Sequence, residues 1–120
     1  MAARPVRDDE MRFPEQSRKF FNRAEIEPLR PGLRGCYGLF RGDECLYIGK
    51  GDIRRRLLAH LEGDDPTISR SFPSHWLAVT AVEIDGLERE LVREYRPLLQ
   101  KSPIATIQKL HAIGRRGSGR

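Results

Sequence analysis

Residues 35–49 read GCYGLFRGDECLYIG, two short runs rich in apolar and aromatic residues on either side of Arg41-Gly42-Asp43. This pattern predicts a β-hairpin with strands 35–40 and 44–49, because a glycine-containing three-residue break between strand-forming runs closes as a tight loop. No other segment constrains the fold as strongly, since one residue of register decides which face every side chain takes. With a three-residue loop, position 40 faces 44 and Tyr37 faces Tyr47. Both phenols then share one face, with Cβ atoms about 5 Å apart. A loop of two or four residues puts them on opposite faces unless a bulge intervenes. Two readings of the pair stand at this point: a cross-strand aromatic contact that stabilises the sheet, or one wall of a site.

The remaining elements follow from periodicity and punctuation. Residues 1–34 form an N-terminal extension in which Ser17 caps a short helix through Arg23 or Ala24, with Phe20 and Phe21 docked on the body, before Pro28, Pro31 and Gly32 end the approach. Asp52 opens a helix to about residue 62, and residues 63–75, with Gly63, Pro66, Pro73 and three serines, form a loop. Residues 76–84, WLAVTAVEI, are a strand, and a second helix runs from Asp85 to about Arg96, stopped at Pro97. The order β-β-α-β-α predicts an α+β fold, a small three-stranded antiparallel sheet with flanking helices over residues 35–100, followed by a basic tail at 101–120.

A chain of 120 residues with 38% apolar and 32% charged residues is ordinary for one soluble domain. It has no run of about 18 apolar residues, and its start, MAARPVRDDEMRF, is charged where a signal peptide needs an apolar stretch. A cytoplasmic protein with no membrane partner is expected. The two cysteines, Cys36 and Cys45, are too few for a disulfide framework or a zinc site. A hairpin closed around 41–43 sets them roughly 10 Å apart along the strands, beyond disulfide reach, and both read as small core residues.

The net charge of +5 comes entirely from residues 101–120, where Lys101, Lys109, Arg115, Arg116 and Arg120 meet no acid. A glycine-rich basic end such as IGRRGSGR has the composition of a disordered segment. It adds phosphate affinity by counterion release without reading sequence, or it only solubilises the chain. In the first helix Ile53, Leu57, Leu58 and Leu61 make the buried stripe, and Arg56 and His60 lie together on one flank, emerging at the edge of the sheet. Arg54 lies in the first turn and Arg55 points away. An arginine four residues before a histidine sets a guanidinium fork beside a titratable imidazole, which suits a phosphate under attack; a solvated basic face with a structural histidine has the same pattern. In the second helix Glu88 falls inside the apolar arc of Leu87, Leu91, Val92 and Tyr95. It either closes a capping box with Asp85 as N-cap or faces a cavity, where its oxygens suit a hard divalent cation.

Gly-Cys-Tyr, then Tyr-Ile-Gly ten residues on, then Arg-x-x-x-His, then a glutamate opening a helix that stops at proline: in that order the chain resembles the GIY-YIG nuclease family, found in UvrC-type excision-repair incision subunits, intron homing endonucleases and some restriction enzymes. The resemblance spans residues 35 to about 100. It implies that Tyr37 and Tyr47 are the motif tyrosines, Arg56 the catalytic arginine and His60 the histidine of some branches. It also implies that Glu88 holds one Mg2+ or Mn2+ ion, with LERELVREYRP and the nine-residue step to Pro97 resembling the repair branch, as does Lys50 after the YIG glycine. The implied activity is metal-dependent hydrolysis of DNA phosphodiesters, in repair, recombination or restriction. Arg56 would clamp a nonbridging oxygen, and His60 would orient a tyrosine or shuttle a proton. Tyr47, hydrogen-bonded to Tyr37, would position or deprotonate the attacking water. A base role requires Lys50, Arg56 or the metal to lower a phenol from its usual value near 10. Lys50, Arg54, Arg55, Lys109, Arg115 and Arg116 are the expected nucleic-acid contacts.

The chain departs from the family pattern at three points. Cys36 stands where Ile or Val is usual. The step from Gly49 to Arg56 is one residue short, leaving Arg55 as the other choice of arginine, and Gln100 stands where many members have Asn. With no DNA-recognition domain attached, sequence specificity would come from a separate protein, and the number of copies that act together is open. Two other classes fit the same residues: a noncatalytic module that holds phosphates with Arg54, Arg55, Arg56 and the tail, and an adaptor that binds protein through Phe13, Phe20 and Phe21.

Overall fold

The computed structural model describes residues 12–100. After a 3-10 turn at Glu15–Ser17 the elements are β1 (Lys19–Phe20), α1 (Arg23–Ile26), β2 (Arg34–Arg41), β3 (Glu44–Asp52), α2 (Ile53–Leu61), α3 (Pro66–Ser69), β4 (His75–Thr80) and α4 (Ile84–Tyr95). The strands form one antiparallel sheet in the order β1-β4-β2-β3, an α+β architecture with helices on both faces. The sheet has four strands where the sequence predicts three. Lys19 and Phe20 pair with Trp76 and His75 on the outer edge of β4, and Ser17 Oγ accepts from the Ala78 amide instead of capping a helix. The short helix begins only at Arg23, where the Asn22 side chain accepts from the Glu25 amide. β4 ends at Thr80, opposite Gly35, because β2 offers little strand beyond that point; Ile84 goes to the core as the first residue of α4.

The hairpin differs from its expected form by two changes that cancel. Arg41 pairs with Glu44, so the turn is the two residues Gly42-Asp43, and the Arg41 guanidinium donates to the Glu44 carboxylate at 2.7 Å. Phe40 pairs with Cys45 but Leu39 pairs with Tyr47, so Leu46 is an extra residue on β3. That bulge restores the parity that the shorter turn removes. Tyr37 therefore lies opposite Gly49 rather than Tyr47, and the two tyrosines are diagonal neighbours on one face with ring centroids 6.4 Å apart. The outer edge of β3 is covered by the segment after α4. Leu98 and Leu99 amides donate to the Cys45 and Leu46 carbonyls, and the Gln100 side chain accepts from the Ile48 amide at 2.8 Å.

Each face of the sheet carries its own core. Cys36, Phe40, Cys45, Ile48 and Leu77 pack against Phe13 and the Ile84–Leu91 stripe of α4. Tyr37, Leu39 and Trp76 pack against Ile26 of α1, Ile53 and Leu57 of α2 and Ile68 of α3. Both cysteines are buried and free. Phe13 is enclosed between Phe40 and Tyr95, which removes it from any adaptor surface, whereas Phe20 is exposed and stacks on His75. Among the described residues no helix is long and apolar enough to cross a membrane.

Gly49 is fixed by a close approach. A Cβ at this position would run into the Tyr37 phenol, so the hydroxyl end of Tyr37 lies against the β3 backbone only because residue 49 has no side chain. Gly49→Ala is expected to cost about 1–3 kcal/mol in urea unfolding, the usual cost of overpacking a filled core. It should also alter the near-ultraviolet circular dichroism of the tyrosines; unchanged values for both would show that the ring does not rest there.

Candidate active site

Tyr37 is fully buried on the central strand, and its hydroxyl lies 2.8 Å from His60 Nε2. His60 is itself only 3% exposed, so the inward face of α2 is Ile53, Leu57 and His60, with Leu58 and Leu61 half-buried beside it. The sequence places His60 on a flank at the sheet edge. It turns inward because both ring nitrogens find partners: Nδ1 lies 2.9 Å from Asp64 Oδ1. A carboxylate only accepts, so Nδ1 carries the hydrogen. Burial disfavours a second proton, which leaves Nε2 bare to accept from Tyr37 O–H.

Tyr47 and Arg56 form the outer layer. Tyr47 is half-buried, with its ring edge-on to His60 at 5.5 Å between centroids. Arg56, one turn before His60, is half-exposed, and the Tyr37 hydroxyl beside it is the main cause that raises its guanidinium. Both phenols move opposite to the direction a tyrosine base requires. Burial lifts Tyr37 and Tyr47 above the ordinary phenol value and outweighs the lowering by Arg56. Tyr37 also bonds to His60 rather than to Tyr47. At neutral pH both tyrosines are therefore protonated hydrogen-bonding groups.

Glu88 approaches from the other face of the sheet. α4 packs on the Cys36 side, whereas the tyrosines and α2 occupy the opposite side, and the two meet at the β3 edge. There Lys50 Nζ lies 3.1 Å from the Glu88 carboxylate and 2.7 Å from Asp85. The Glu88 side chain is 23% exposed and close enough to Tyr47 to add to the rise of its phenol. The expected capping box is absent: Glu83 accepts from the Gly86 amide as the N-cap of α4, and Asp85 turns to Lys50. Glu88 is thus free of a capping role and held by one cation.

No group of three or more His, Cys, Asp or Glu converges among the described residues. A magnesium-type ion still fits this donor set, because it is commonly bound by one or two carboxylates while retaining waters and taking substrate phosphate oxygens. Glu88 supplies such a carboxylate, half-buried and held by Lys50.

Of the expected phosphate contacts, Arg55 is exposed, Lys50 is engaged by Asp85 and Glu88, and Arg54 Nε donates to the Glu27 carbonyl. Lys109, Arg115 and Arg116 lie outside the described residues. Two polar contacts were not read from the sequence, although Gln100 was marked there as standing where the family pattern has Asn. Gln100 anchors the Ile48 amide. Asp64 serves His60 from beyond the helix end, and its four-residue spacing from His60 was the one clue, obscured by the intervening Gly63.

Comparison with solved structures finds the same fold. The GIY-YIG N-terminal endonuclease domain of UvrC from Thermotoga maritima, as a point mutant bound to its catalytic divalent cation, matches at 21% identity with a TM-score of 0.57, over 68% of this chain and all of that one. The fold is GIY-YIG-like. The magnesium-bound form of the same domain matches at 21% identity with a TM-score of 0.56, over 67% of this chain and all of that one. A second point mutant, also bound to its catalytic divalent cation, matches at 22% identity with a TM-score of 0.54, over 68% and all of the two chains. No protein-family model and no curated protein sequence matches the chain. The GIY-YIG-like fold accounts for the β2–β3 hairpin and for the helices packed on the two faces of the sheet.

His60 gives this site a pH signature. Burial holds its folded-state value below the ordinary 6.5, against the opposing pull of Asp64. As pH falls, the unfolded chain takes up the proton first, so stability is full above about 6.5 and declines as pH drops toward the folded-state value. The melting temperature should therefore rise from pH 5 to pH 7. His60→Gln should flatten that rise, and an equally steep profile in the variant would exclude His60 as its source.

Proposed function

We propose that this protein is a metal-dependent DNA endonuclease acting in repair, recombination or restriction. The observation that carries the reading is the layered wall of Tyr47 and Arg56 over the Tyr37–His60 hydrogen bond, with the Glu88 carboxylate held by Lys50, three residues along β3 from Tyr47.

The enclosed and open residues divide the work. Tyr37 and His60 are sealed from solvent, so a DNA phosphate meets Tyr47 and Arg56. The Arg56 guanidinium binds a nonbridging oxygen and neutralises the charge that builds as the attacking oxygen bonds to phosphorus. Tyr47, a neutral phenol, orients the attacking water, whose proton is lost to solvent, and the P–O3′ bond breaks on the opposite side, its electron pair leaving with the 3′ oxygen, which takes a proton from solvent. Glu88 would hold a single Mg2+ or Mn2+ ion, which when bound supplies further charge neutralisation and eases departure of the 3′ oxygen. Lys50, released from Glu88, keeps Asp85 as a partner and gains a backbone phosphate. Residues 35–100 supply these groups, whereas Phe13 and Ile26 of the N-terminal extension complete the two cores. Arg55 and the cations of residues 101–120 add affinity that is independent of sequence.

A noncatalytic phosphate-binding module is the competing reading, and Glu88 separates the two. Purified protein with Mg2+ or Mn2+ at low salt is expected to cut plasmid or branched DNA. Glu88→Gln should lower cleavage by at least about a hundredfold, the loss expected when a catalytic metal is no longer held, while DNA affinity by fluorescence anisotropy stays within about twofold. Intact DNA with the wild-type protein, at concentrations where binding is measured, would favour the binding module.

A further inference from the structure

α2 does not simply fray at its end. Its last turn at Leu61 is followed by Glu62 and by Gly63 at φ +90°; the Gly63 amide bonds to the His60 carbonyl at 3.0 Å and the Asp64 amide to the Ala59 carbonyl at 3.1 Å. This pair of bonds is a Schellman turn, which needs the left-handed conformation that glycine adopts at no steric cost. Its effect is to fold the chain back so that Asp64, already outside the helix, lies against the ring of His60. A carboxylate at the negative end of a helix is placed where the dipole disfavours it. What it receives there is the His60 Nδ1 hydrogen.

The hydrogen bonds then run in one direction. Asp64 accepts from His60 Nδ1–H and His60 Nε2 accepts from Tyr37 O–H; the Tyr37 hydroxyl rests on Gly49, and the Arg56 side chain runs over Gly51, the next residue on that face of β3. Reversing the imidazole tautomer would set N–H against O–H at Tyr37 and force its hydroxyl to turn, so the direction of that hydroxyl depends on which nitrogen of a buried ring carries the hydrogen. Asp65 does not substitute, since its carboxylate caps α3 through the Thr67 amide.

We propose that Asp64 is a positioning residue of the site: through the Gly63 turn it fixes the tautomer of His60, through His60 the direction of the Tyr37 hydroxyl, and through that hydroxyl the guanidinium of Arg56. The proposal rests on the reading of Arg56 as the group that binds the scissile phosphate. Asp64 touches no substrate. Its contribution is the pre-set orientation of a residue that does.

Nitrogen-15 NMR of the full chain without DNA tests the first link. Wild-type protein should show His60 protonated at Nδ1 and bare at Nε2. Asp64→Asn, whose amide can donate as well as accept, should show both tautomers or the reverse one. Gly63→Ala, which keeps the carboxylate but strains its turn, should lie between. In DNA cleavage Asp64→Asn should lower kcat about tenfold, as expected when a catalytic group is misplaced, with KM within about twofold. Asp64→Glu should restore part of that loss. A wild-type His60 protonated at Nε2, or an Asp64→Asn protein with wild-type tautomer and kcat, overturns the proposal. Wild-type protein that leaves DNA uncut overturns the endonuclease reading instead, and the tautomer spectrum still decides the link between Asp64 and His60.

Discussion

The Tyr37 hydroxyl is a polar group at the centre of an apolar interface, and most of the structure is arranged to accommodate it. A buried hydroxyl without a partner costs a few kcal/mol. His60 meets that need from the facing helix, which draws the imidazole into a stripe that would otherwise be purely aliphatic. The phenol of Tyr37 needs a bed without a side chain, and Gly49 provides it. The bulge at Leu46 in turn keeps Tyr47 on the same side as that bed. Hairpin, bulge, glycine and helix face are thus linked through one phenol.

The division between sealed and open residues has an electrostatic side. Tyr37 and His60 are neutral and enclosed, and the charges of Arg56, Lys50 and Glu88 lie at the rim, where solvent still reaches them. Lys50 sits between two carboxylates, so the carboxylate that a cation would need is already occupied by an ammonium group. Exchange of one positive partner for another is less costly than uncovering a bare carboxylate in a half-buried place.

Much of this was legible from the chain. Strand-forming runs around Gly42 marked the β2–β3 hairpin, helical spacing from Ile53 marked α2, and Pro97 marked the end of α4. The errors have physical causes. The turn is one residue shorter than read, and Leu46 hid the compensating bulge, because an apolar residue there suits either register. β1 is two residues long and has no periodicity to detect; the free edge of β4 recruits it. Asp85 has the local pattern of an N-cap, yet Lys50 from another strand competes for it and Glu83 takes its place. Glu88 stood out as a carboxylate in an apolar arc, but only the packing shows that its helix lies on the face opposite the tyrosines. The inward turn of His60 depends on partners from β2 and from beyond Gly63, which helical spacing alone does not contain.

The clasp of Gln100 on the Ile48 amide does more than cover a sheet edge. It fixes the point from which the rest of the polypeptide departs, one residue along β3 from Tyr47. Five cations and no acid follow within the next twenty residues. Within the described residues, the same contact closes the edge of β3 from Cys45 to Ile48 with the chain's own backbone and one amide side chain, so little free ladder is left there for a second strand to join.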